Sequence, residues 1–321
     1  MTASARAAPV LPPQRGGALR RRLLAWYDVE GGEFPWRAAR DPYAALVAAV
    51  CSQQTQMARV LPLWERWMAA FPTLAGAAVA DDANALRVWG GAGYPRRALS
   101  IVGTARVCVR EHGGALPRDE VALLALPGVG PFTAAIVRCF GWGDDAAAID
   151  TNVVRVLGRV VHGDLQPARE TSGAVLAATA RRLLPPGDAG RWNPALMDYG
   201  ARVCTPRPRC EACVVATVCA ARPRFARGER AEPLRRQPAY AGSDREWRGR
   251  ILRVLRASDG ALGGEELLAR VGAAPGDAAR VRALVAALAR EGFVTVERAG
   301  RVVLGGAACG ELGARDGGAA V

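Results

Sequence analysis

The sequence contains no lysine, since all 43 basic residues among its 321 are arginines, set against 30 acidic residues. This absence excludes chemistry that needs a side-chain amine, above all a Schiff base between a lysine and a substrate carbonyl. Long apolar runs are also missing, because arginine interrupts every candidate before it reaches the length of a membrane span. The formal net charge of +13 favours a polyanionic partner and no membrane.

The N-terminus lacks the apolar segment of a secretory signal peptide. Residues 1–18, rich in Ala, Pro and Arg, therefore predict a disordered arm, and a cytoplasmic, nucleoid-associated location is expected. In a reducing compartment the eight cysteines are not expected to form disulfides. Cys51, Cys108, Cys139 and Cys309 have no partners nearby in sequence, and they are predicted to be core or tail residues.

Composition divides the rest of the chain into three regions. Residues 19–221 show a mostly helical pattern, with helices predicted at Pro62–Ala70 and Glu120–Leu126. Residues 222–243 predict a Pro/Arg-rich linker, and between residues 222 and 256 eleven arginines stand against four acids, a net charge of +7. The breaks expected within the first region are Phe71-Pro72 and Leu116-Pro117.

The third region, residues 244–304, predicts three helices followed by a strand hairpin. This is the layout of a winged helix, a small α+β domain, and residues 305–321 then predict a flexible tail. The predicted helices are Trp247–Ala257, Gly264–Val271 and Asp277–Glu291, and the predicted strands are Phe293–Glu297 and Arg301–Leu304 around the turn Ala299-Gly300.

A glycine pair forms the first motif with chemical meaning, in Leu126-Pro127-Gly128-Val129-Gly130. Gly128 and Gly130 can take backbone conformations closed to other residues, and Pro131 suits the first turn of a new helix. The free amides of such a hairpin can bind a DNA phosphate without reading sequence. The same motif also occurs as an ordinary tight turn, and the two interpretations are evenly balanced on these residues alone.

Asp150 is the second candidate, because it lies between an apolar run and an amphipathic helix. An aspartate in this position is most often the N-cap of its helix. It is also placed to direct a carboxylate at a cationic transition state. The residues alone favour the cap.

Four cysteines within sixteen residues form the third candidate: Cys204, Cys210, Cys213 and Cys219, with spacings of five, two and five residues. Four thiolates this close suit either a tetrahedral zinc ion or a four-iron cluster. Zinc sites usually show two close cysteine pairs, and this set has only one. The spacing therefore favours a [4Fe-4S] cluster.

Together these elements resemble the helix-hairpin-helix DNA glycosylases related to endonuclease III, over residues 19–221. Further segments narrow the resemblance to the adenine DNA glycosylases, which act on adenine opposite 8-oxoguanine or guanine. The segments are Phe34-Pro35-Trp36-Arg37, Ser52-Gln53-Gln54-Thr55-Gln56, Gly91-Ala92-Gly93-Tyr94, Trp192-Asn193 and Met197-Asp198-Tyr199-Gly200.

The resemblance implies an all-α, two-lobed fold with DNA bound between the lobes, in addition to the winged-helix-like domain. The six-helix lobe would comprise residues 46–145, and the cluster lobe residues 19–45 and 146–221. Gln53-Gln54-Thr55 would enter the DNA stack from the minor groove, and Tyr94 would wedge beside it. Damaged or mispaired double-stranded DNA would be the partner, and a monomer is expected.

The resemblance also implies catalytic roles for two residues. Asp150 would stabilise the positively charged sugar as the base departs, and Asn152 would support it. Bifunctional relatives carry a lysine two residues after the second glycine of the hairpin, where this chain has Phe132. A monofunctional enzyme without lysine-based lyase activity is therefore predicted.

The sequence departs from the family at the residue that would protonate adenine. The family has a glutamate four residues before Gln53, and this chain has Ala49. A missing general acid typically costs about 10²–10⁴ in rate, whereas uracil or thymine can depart as an anion. Two smaller departures concern the cysteines. Five residues separate the first two cysteines, where the family usually has six, and Val214 follows the third cysteine, where the family usually has a proline.

Three functional interpretations therefore stay open. The first is a monofunctional adenine DNA glycosylase, with mismatched uracil or thymine as the alternative substrate. The second is a catalytically weakened protein that binds DNA lesions, and the third is a zinc-stabilised DNA-binding regulator. Many adenine glycosylases end in a nudix-like domain, whereas residues 244–304 resemble a winged helix. This region is either a small domain packed on the cluster lobe without touching DNA or a DNA-binding domain, and the net charge of +7 leading into it favours contact with the DNA backbone.

Overall fold

The computed structural model describes residues 11–232 and 239–306. They divide into two compact units, the first holding residues 11–49 and 130–232 and the second holding residues 50–129 and 239–306. Helices form nearly all of the regular structure, as the sequence pattern predicts. Among the described residues, none of the helices combines the length and apolar character that a membrane span requires.

The α-helices are α1 (Pro13–Glu30), α2 (Pro35–Ala38), α3 (Pro42–Ser52), α4 (Met57–Ala70), α5 (Leu74–Ala78), α6 (Asp82–Trp89), α7 (Arg96–Glu111), α8 (Glu120–Leu124), α9 (Pro131–Ile136), α10 (Thr151–Leu157), α11 (Pro167–Glu170), α12 (Gly173–Leu183), α13 (Ala189–Arg202), α14 (Arg222–Ala226), α15 (Asp244–Arg256), α16 (Gly264–Val271) and α17 (Ala278–Arg290). The strands are β1 (Val294–Val296) and β2 (Val302–Leu304). Two π-helical turns, Val137–Trp142 and Gly158–His162, extend α9 and α10, and short 3-10 turns lie at Cys210–Ala212, Ala216–Val218, Pro275–Asp277 and Arg298–Gly300.

The core of the first unit lies between α1, α10, α12 and α13. Leu23, Val156, Trp192 and Tyr199 are buried there in one apolar cluster. Helix α10 therefore packs on its apolar face, and this packing fixes the residue that precedes it, Asp150.

The core of the second unit centres on tryptophans from two helices. Trp67 of α4 and Trp89 of α6 are buried and meet edge to face, with ring centroids 5.9 Å apart. Helix α4 begins at Met57, five residues before the predicted start at Pro62, because burying Val60 and Leu63 outweighs the hydrogen bond lost at the proline. Helix α8 ends two residues early, since the residue before Pro127 avoids helical backbone.

The C-terminal region has the predicted order of three helices and a hairpin. Strands β1 and β2 are antiparallel, with Thr295 opposite Val303, and Leu262 adds a bridge to Val302. Both strands are shorter than predicted by a residue at one or both ends. The amphipathic pattern located the helices to within three residues because one face of each is buried.

The predicted disordered arm is wrong from Pro13 onward, because α1 begins there. Gly16 is buried close to Leu183, and a guanidinium nitrogen of Arg15 donates to the carbonyl of Val218 at 2.9 Å. These contacts tie the start of the helix to the first unit. The rest of the arm, residues 1–10, lies outside the described residues.

The predicted linker also contains regular structure. Its first residues form α14, where Arg224 binds Glu229 at 2.9 Å and Glu170 at 3.1 Å. The pair with Glu170, which lies outside the segment, attaches it to the rest of the first unit. Residues 233–238 and the tail from residue 307, including Cys309, lie outside the described residues, whereas Cys51, Cys108 and Cys139 are buried as predicted.

Candidate active site

Asp150 caps helix α10, as the residues alone predict. The backbone N–H of Val153 donates to Oδ1 of Asp150 at 2.7 Å, and the side-chain amide of Asn152 donates to Oδ2 at 2.7 Å. Both carboxylate oxygens are therefore engaged and the side chain is fixed in one orientation. The cap and a catalytic role are compatible, because capping holds the carboxylate at the positive end of a helix.

Burial dominates the electrostatics of this carboxylate. It raises the pKa of Asp150 above its ordinary value, while the hydrogen bonds from Val153 and Asn152 and the charge of Arg155 act in the opposite direction. A desolvated carboxylate interacts strongly with any charge that comes near it. The arrangement can stabilise a positive charge that develops beside it.

Arg155 connects Asn152 to the cysteine segment. One guanidinium nitrogen donates to Oδ1 of Asn152 at 2.5 Å and to the carbonyl of Gly200 at 2.7 Å, and Nε donates to the carbonyl of Cys204 at 2.7 Å. The amide of Asn152 is thereby oriented with its nitrogen toward Asp150. Sequence reasoning missed Arg155, although its position three residues after Asn152 on a helix was a usable signal.

Gly200 allows helix α13 to approach α10 at this point. A Cβ atom at position 200 would lie 2.7 Å from Cβ of Asn152 and 3.0 Å from its carbonyl oxygen. No larger residue fits without moving Asn152. The close approach of α13 to α10 therefore explains why the segment Met197-Asp198-Tyr199-Gly200 ends in a glycine.

Asn193 holds the segment that leads into Asp150. Its Oδ1 accepts from the backbone N–H of Ala148 at 3.1 Å, and its Nδ2 donates to the carbonyl of Ala146 at 2.8 Å. The side chain is buried, so these bonds are made away from water. Asn193 thus positions the extended chain before α10.

An ion pair joins two of the other segments that carry the family resemblance. Arg37 and Asp198 form a two-pronged pair with both nitrogen–oxygen distances at 2.8 Å, and both side chains are about seven-eighths buried. Asp198 also accepts from the backbone N–H of Gly32 at 3.0 Å. The pair ties the chain after α1 to α13.

The four cysteines lie on one segment against the core of the first unit. The hydroxyl of Tyr199 donates a hydrogen bond to the sulfur of Cys213 at 3.0 Å, and a guanidinium nitrogen of Arg159 lies 3.6 Å from the sulfur of Cys204. Burial raises the pKa of Cys204, and the guanidinium of Arg159 acts against it. Of the described residues, no group of three or more His, Cys, Asp or Glu side chains is placed to hold a metal ion.

The glycine hairpin lies against helix α7 of the second unit. Gly128 has φ +72°, and a Cβ there would lie 2.6 Å from Cβ of Ser100. Thr104 fixes the same turn by donating to the carbonyl of Pro127 at 2.7 Å. Gly130 precedes α9, whose first residue is Pro131 as predicted, so the amides at this end are not used within the helix.

Gln54, in the segment Gln53-Gln54-Thr55, and Tyr94 lie in the second unit and share an unusual backbone conformation. Gln54 has φ +51° and Tyr94 has φ +47°, in the left-handed region that residues other than glycine rarely adopt. Tyr94 is 52 % exposed. Strain of this kind persists only when the surroundings hold it.

Arg97 supplies that support. Its guanidinium donates to the carbonyls of Val50, Cys51 and Gln53, to the hydroxyl of Thr55, and to the carbonyl of Gly93. It also lies over the rings of Trp89 and Tyr94. Sequence reasoning missed Arg97, because the carbonyls of Val50, Cys51 and Gln53 that it binds are more than forty residues away and leave no pattern in the sequence.

Comparison with known proteins identifies the family. Residues 47–177 match the HhH-GPD superfamily of base excision DNA repair proteins. An adenine DNA glycosylase of Mycobacterium tuberculosis is 41 % identical over 244 residues, which cover 74 % of this chain and 78 % of that protein. The chain belongs to the adenine DNA glycosylase family.

Solved structures agree with this assignment at the level of the fold. A thermostable thymine-DNA glycosylase superimposes with a TM-score of 0.61 at 29 % identity, covering 66 % of this chain and 98 % of that one. An endonuclease III in a non-covalent complex with DNA superimposes with a TM-score of 0.59 at 22 % identity, and the match covers 68 % of this chain and 100 % of that one. The predicted helix-hairpin-helix glycosylase fold is confirmed.

Within the adenine DNA glycosylase family, Ala49 is the departure with a chemical consequence. The residue is buried in α3 and offers no ionisable group. Phe132, at the position of the lysine in bifunctional relatives, is the second residue of α9. The general acid and the amine are therefore absent from these two positions.

Proposed function

We propose that this chain is a monofunctional base excision repair enzyme that removes adenine mispaired with 8-oxoguanine or guanine in duplex DNA. The adenine would be flipped out of the helix, and its N-glycosidic bond would be hydrolysed. The observation that carries the proposal is the partly buried Asp150 carboxylate, oriented by Val153 and Asn152. Membership of the adenine DNA glycosylase family supplies the substrate class.

The balance of the reaction assigns a task to each of these groups. The bond between the sugar and adenine breaks with its electron pair going to the base, so the sugar becomes positively charged. Asp150 would stabilise that charge, and a water molecule then adds to the sugar and loses a proton. Because position 49 carries no acid, the departing adenine takes its proton from solvent.

DNA binding is supported by the hairpin and by the second unit. The backbone N–H of Phe132 lies in the first turn of α9, after the hairpin glycines, where a helix end favours a phosphate. Gln54 and the exposed Tyr94 would fill the stack left by the flipped base. These contacts recognise the shape and the backbone of the DNA. The mispaired base would be selected because unstacking it costs less free energy than unstacking a paired base.

A single-turnover assay on four duplexes tests the function. We expect excision from A opposite 8-oxoguanine and A opposite guanine, with strand breaks only after alkali treatment, because the chain has no lysine to form a Schiff base. Duplexes with U or T opposite guanine serve as the comparison. Excision of only U or T would show that a mismatched pyrimidine, not adenine, is the substrate. No excision from any duplex would favour a protein that binds lesions without catalysis. Direct strand cleavage would contradict the monofunctional assignment.

We also propose that Cys204, Cys210, Cys213 and Cys219 hold one [4Fe-4S] cluster. The donor types fit the group, because all four are thiols on one segment and Tyr199 and Arg159 are directed at two of the sulfurs. Among the described residues the sulfurs are not gathered into a ligand set, so binding the cluster would have to bring them together. When bound, the cluster would link the four cysteines to one another and so hold the segment in one fold. No step of the hydrolysis runs through it.

Metal analysis of the purified protein tests the cluster. We expect a brown protein with about four iron atoms and about four labile sulfides per chain. Cys210→Ser is expected to lower the iron content, whereas Cys108→Ala, outside the segment, leaves it unchanged. A colourless protein with one zinc ion per chain would contradict the cluster and show that the four cysteines form a zinc site.

A further inference from the structure

A cavity of about 270 Å³ lies beside the strained residues of the second unit. Gln54, Tyr94, Arg96 and Gly128 belong to its wall, and the described residues that line it include no acid. A cavity with guanidinium groups and no carboxylates in its wall attracts an anion. Among the wall residues, Arg96 also contacts the C-terminal region, residues 244–304, which lies in the same unit.

Arg96 is held by the end of α17 and the residue before β1. A guanidinium nitrogen donates to the carbonyl of Glu291 at 3.3 Å, and the guanidinium lies 5.3 Å from the ring centre of Phe293. Phe293 is buried, so its ring is a fixed surface. Gly305 lies against Ala83 of α6, which gives the region a second attachment to the helices of this unit.

The positive charge of Arg96 is not cancelled at this junction. The Glu291 carboxylate is engaged by both guanidinium nitrogens of Arg248, at 2.8 and 2.6 Å, and is 3.8 Å from Arg96. One carboxylate therefore faces two guanidinium groups. The Arg96 side chain is 57 % exposed, so its remaining charge is open to a ligand.

We propose that Arg96 binds a DNA phosphate at the mouth of this cavity, and that the C-terminal region positions it there through Phe293 and Glu291. The inference rests on the proposed function, which brings duplex DNA to Gln54 and Tyr94. A guanidinium held against an aromatic ring presents its remaining donors in a fixed direction, as phosphate recognition requires. The C-terminal region thus contributes to DNA binding through a residue outside itself.

Salt-dependent binding of the full chain to a duplex tests the phosphate contact. Arg96→Ala is expected to raise the dissociation constant about 3- to 10-fold and to lower the slope of log affinity against log salt by about one. The single-turnover rate at saturating enzyme should change less than about twofold, since the contact is equal in the ground and transition states. Arg270→Ala is the matched control, because Arg270 is 51 % exposed but paired with Glu266 at 2.7 Å.

The positioning role is tested by combining substitutions. Phe293→Leu is expected to weaken DNA binding about 2- to 5-fold in the wild type and to have no further effect in Arg96→Ala. Equal weakening in both backgrounds would show a purely structural role and overturn the positioning. An unchanged salt slope in Arg96→Ala, or the same change in Arg270→Ala, overturns the phosphate contact alone. A wild-type protein that binds no duplex overturns both this inference and the proposed function.

Discussion

Asp150→Asn is expected to lower the single-turnover rate of adenine excision by about 10³-fold, because it removes the charge that stabilises the sugar cation. Asparagine is as good an N-cap as aspartate, so α10 should keep its start and the protein its melting temperature. The measurement is excision from A opposite 8-oxoguanine at saturating enzyme. DNA affinity should be little changed.

The control for this substitution is a second capping aspartate. Asp119 caps α8 by accepting from the backbone N–H of Ala122 at 2.9 Å, so Asp119→Asn makes the same chemical change away from Asp150. It should leave the excision rate unchanged. Asp150→Asn with near wild-type activity would contradict the electrostatic role.

The pH dependence of the same pair of proteins checks the ionisation state. Burial raises the pKa of Asp150, so its carboxylate takes up a proton at a higher pH than an exposed aspartate, whose pKa is about 3.9. The advantage of wild type over Asp150→Asn should therefore shrink as the pH falls through this raised value. A ratio independent of pH down to about 3.9 would contradict the raised pKa.

Ala49→Glu is expected to raise the rate of adenine excision by about 10²–10⁴-fold, by restoring an acid that protonates the base. Position 49 is buried, and burial raises the pKa of a carboxyl group, so the new glutamate would hold its proton near neutral pH. The rate is measured on A opposite 8-oxoguanine. Thermal unfolding of the variant shows whether α3 tolerates the larger residue.

Ala49→Gln separates acid catalysis from size. Glutamine matches glutamate in shape but donates no catalytic proton, so this variant should stay at the wild-type rate. The gain should also be confined to adenine, because uracil opposite guanine can leave as an anion. Equal rates for the Glu and Gln variants, with both folded, would mean that adenine departure is not limited by protonation at this position.

The sequence predicted the local parts of the site and missed the long-range ones. Asp150 and the hairpin at Gly128 are recognisable because capping and tight turns depend on neighbours in the chain. The contact of Gly200 with Asn152 depends on how α10 and α13 pack, which no short pattern encodes. The start of α1 was misplaced for a similar reason, since its first turn is held by Val218, about two hundred residues away.

The anchoring of the loop Gln53-Gln54-Thr55 by Arg97 has a thermodynamic consequence. A flexible loop loses conformational entropy when a ligand orders it, and that loss subtracts from the binding free energy. Here the carbonyl of Gln53 and the hydroxyl of Thr55 are bound to Arg97 in the DNA-free protein. The ordering cost is thus met during folding, and more of the contact energy remains for opening the duplex.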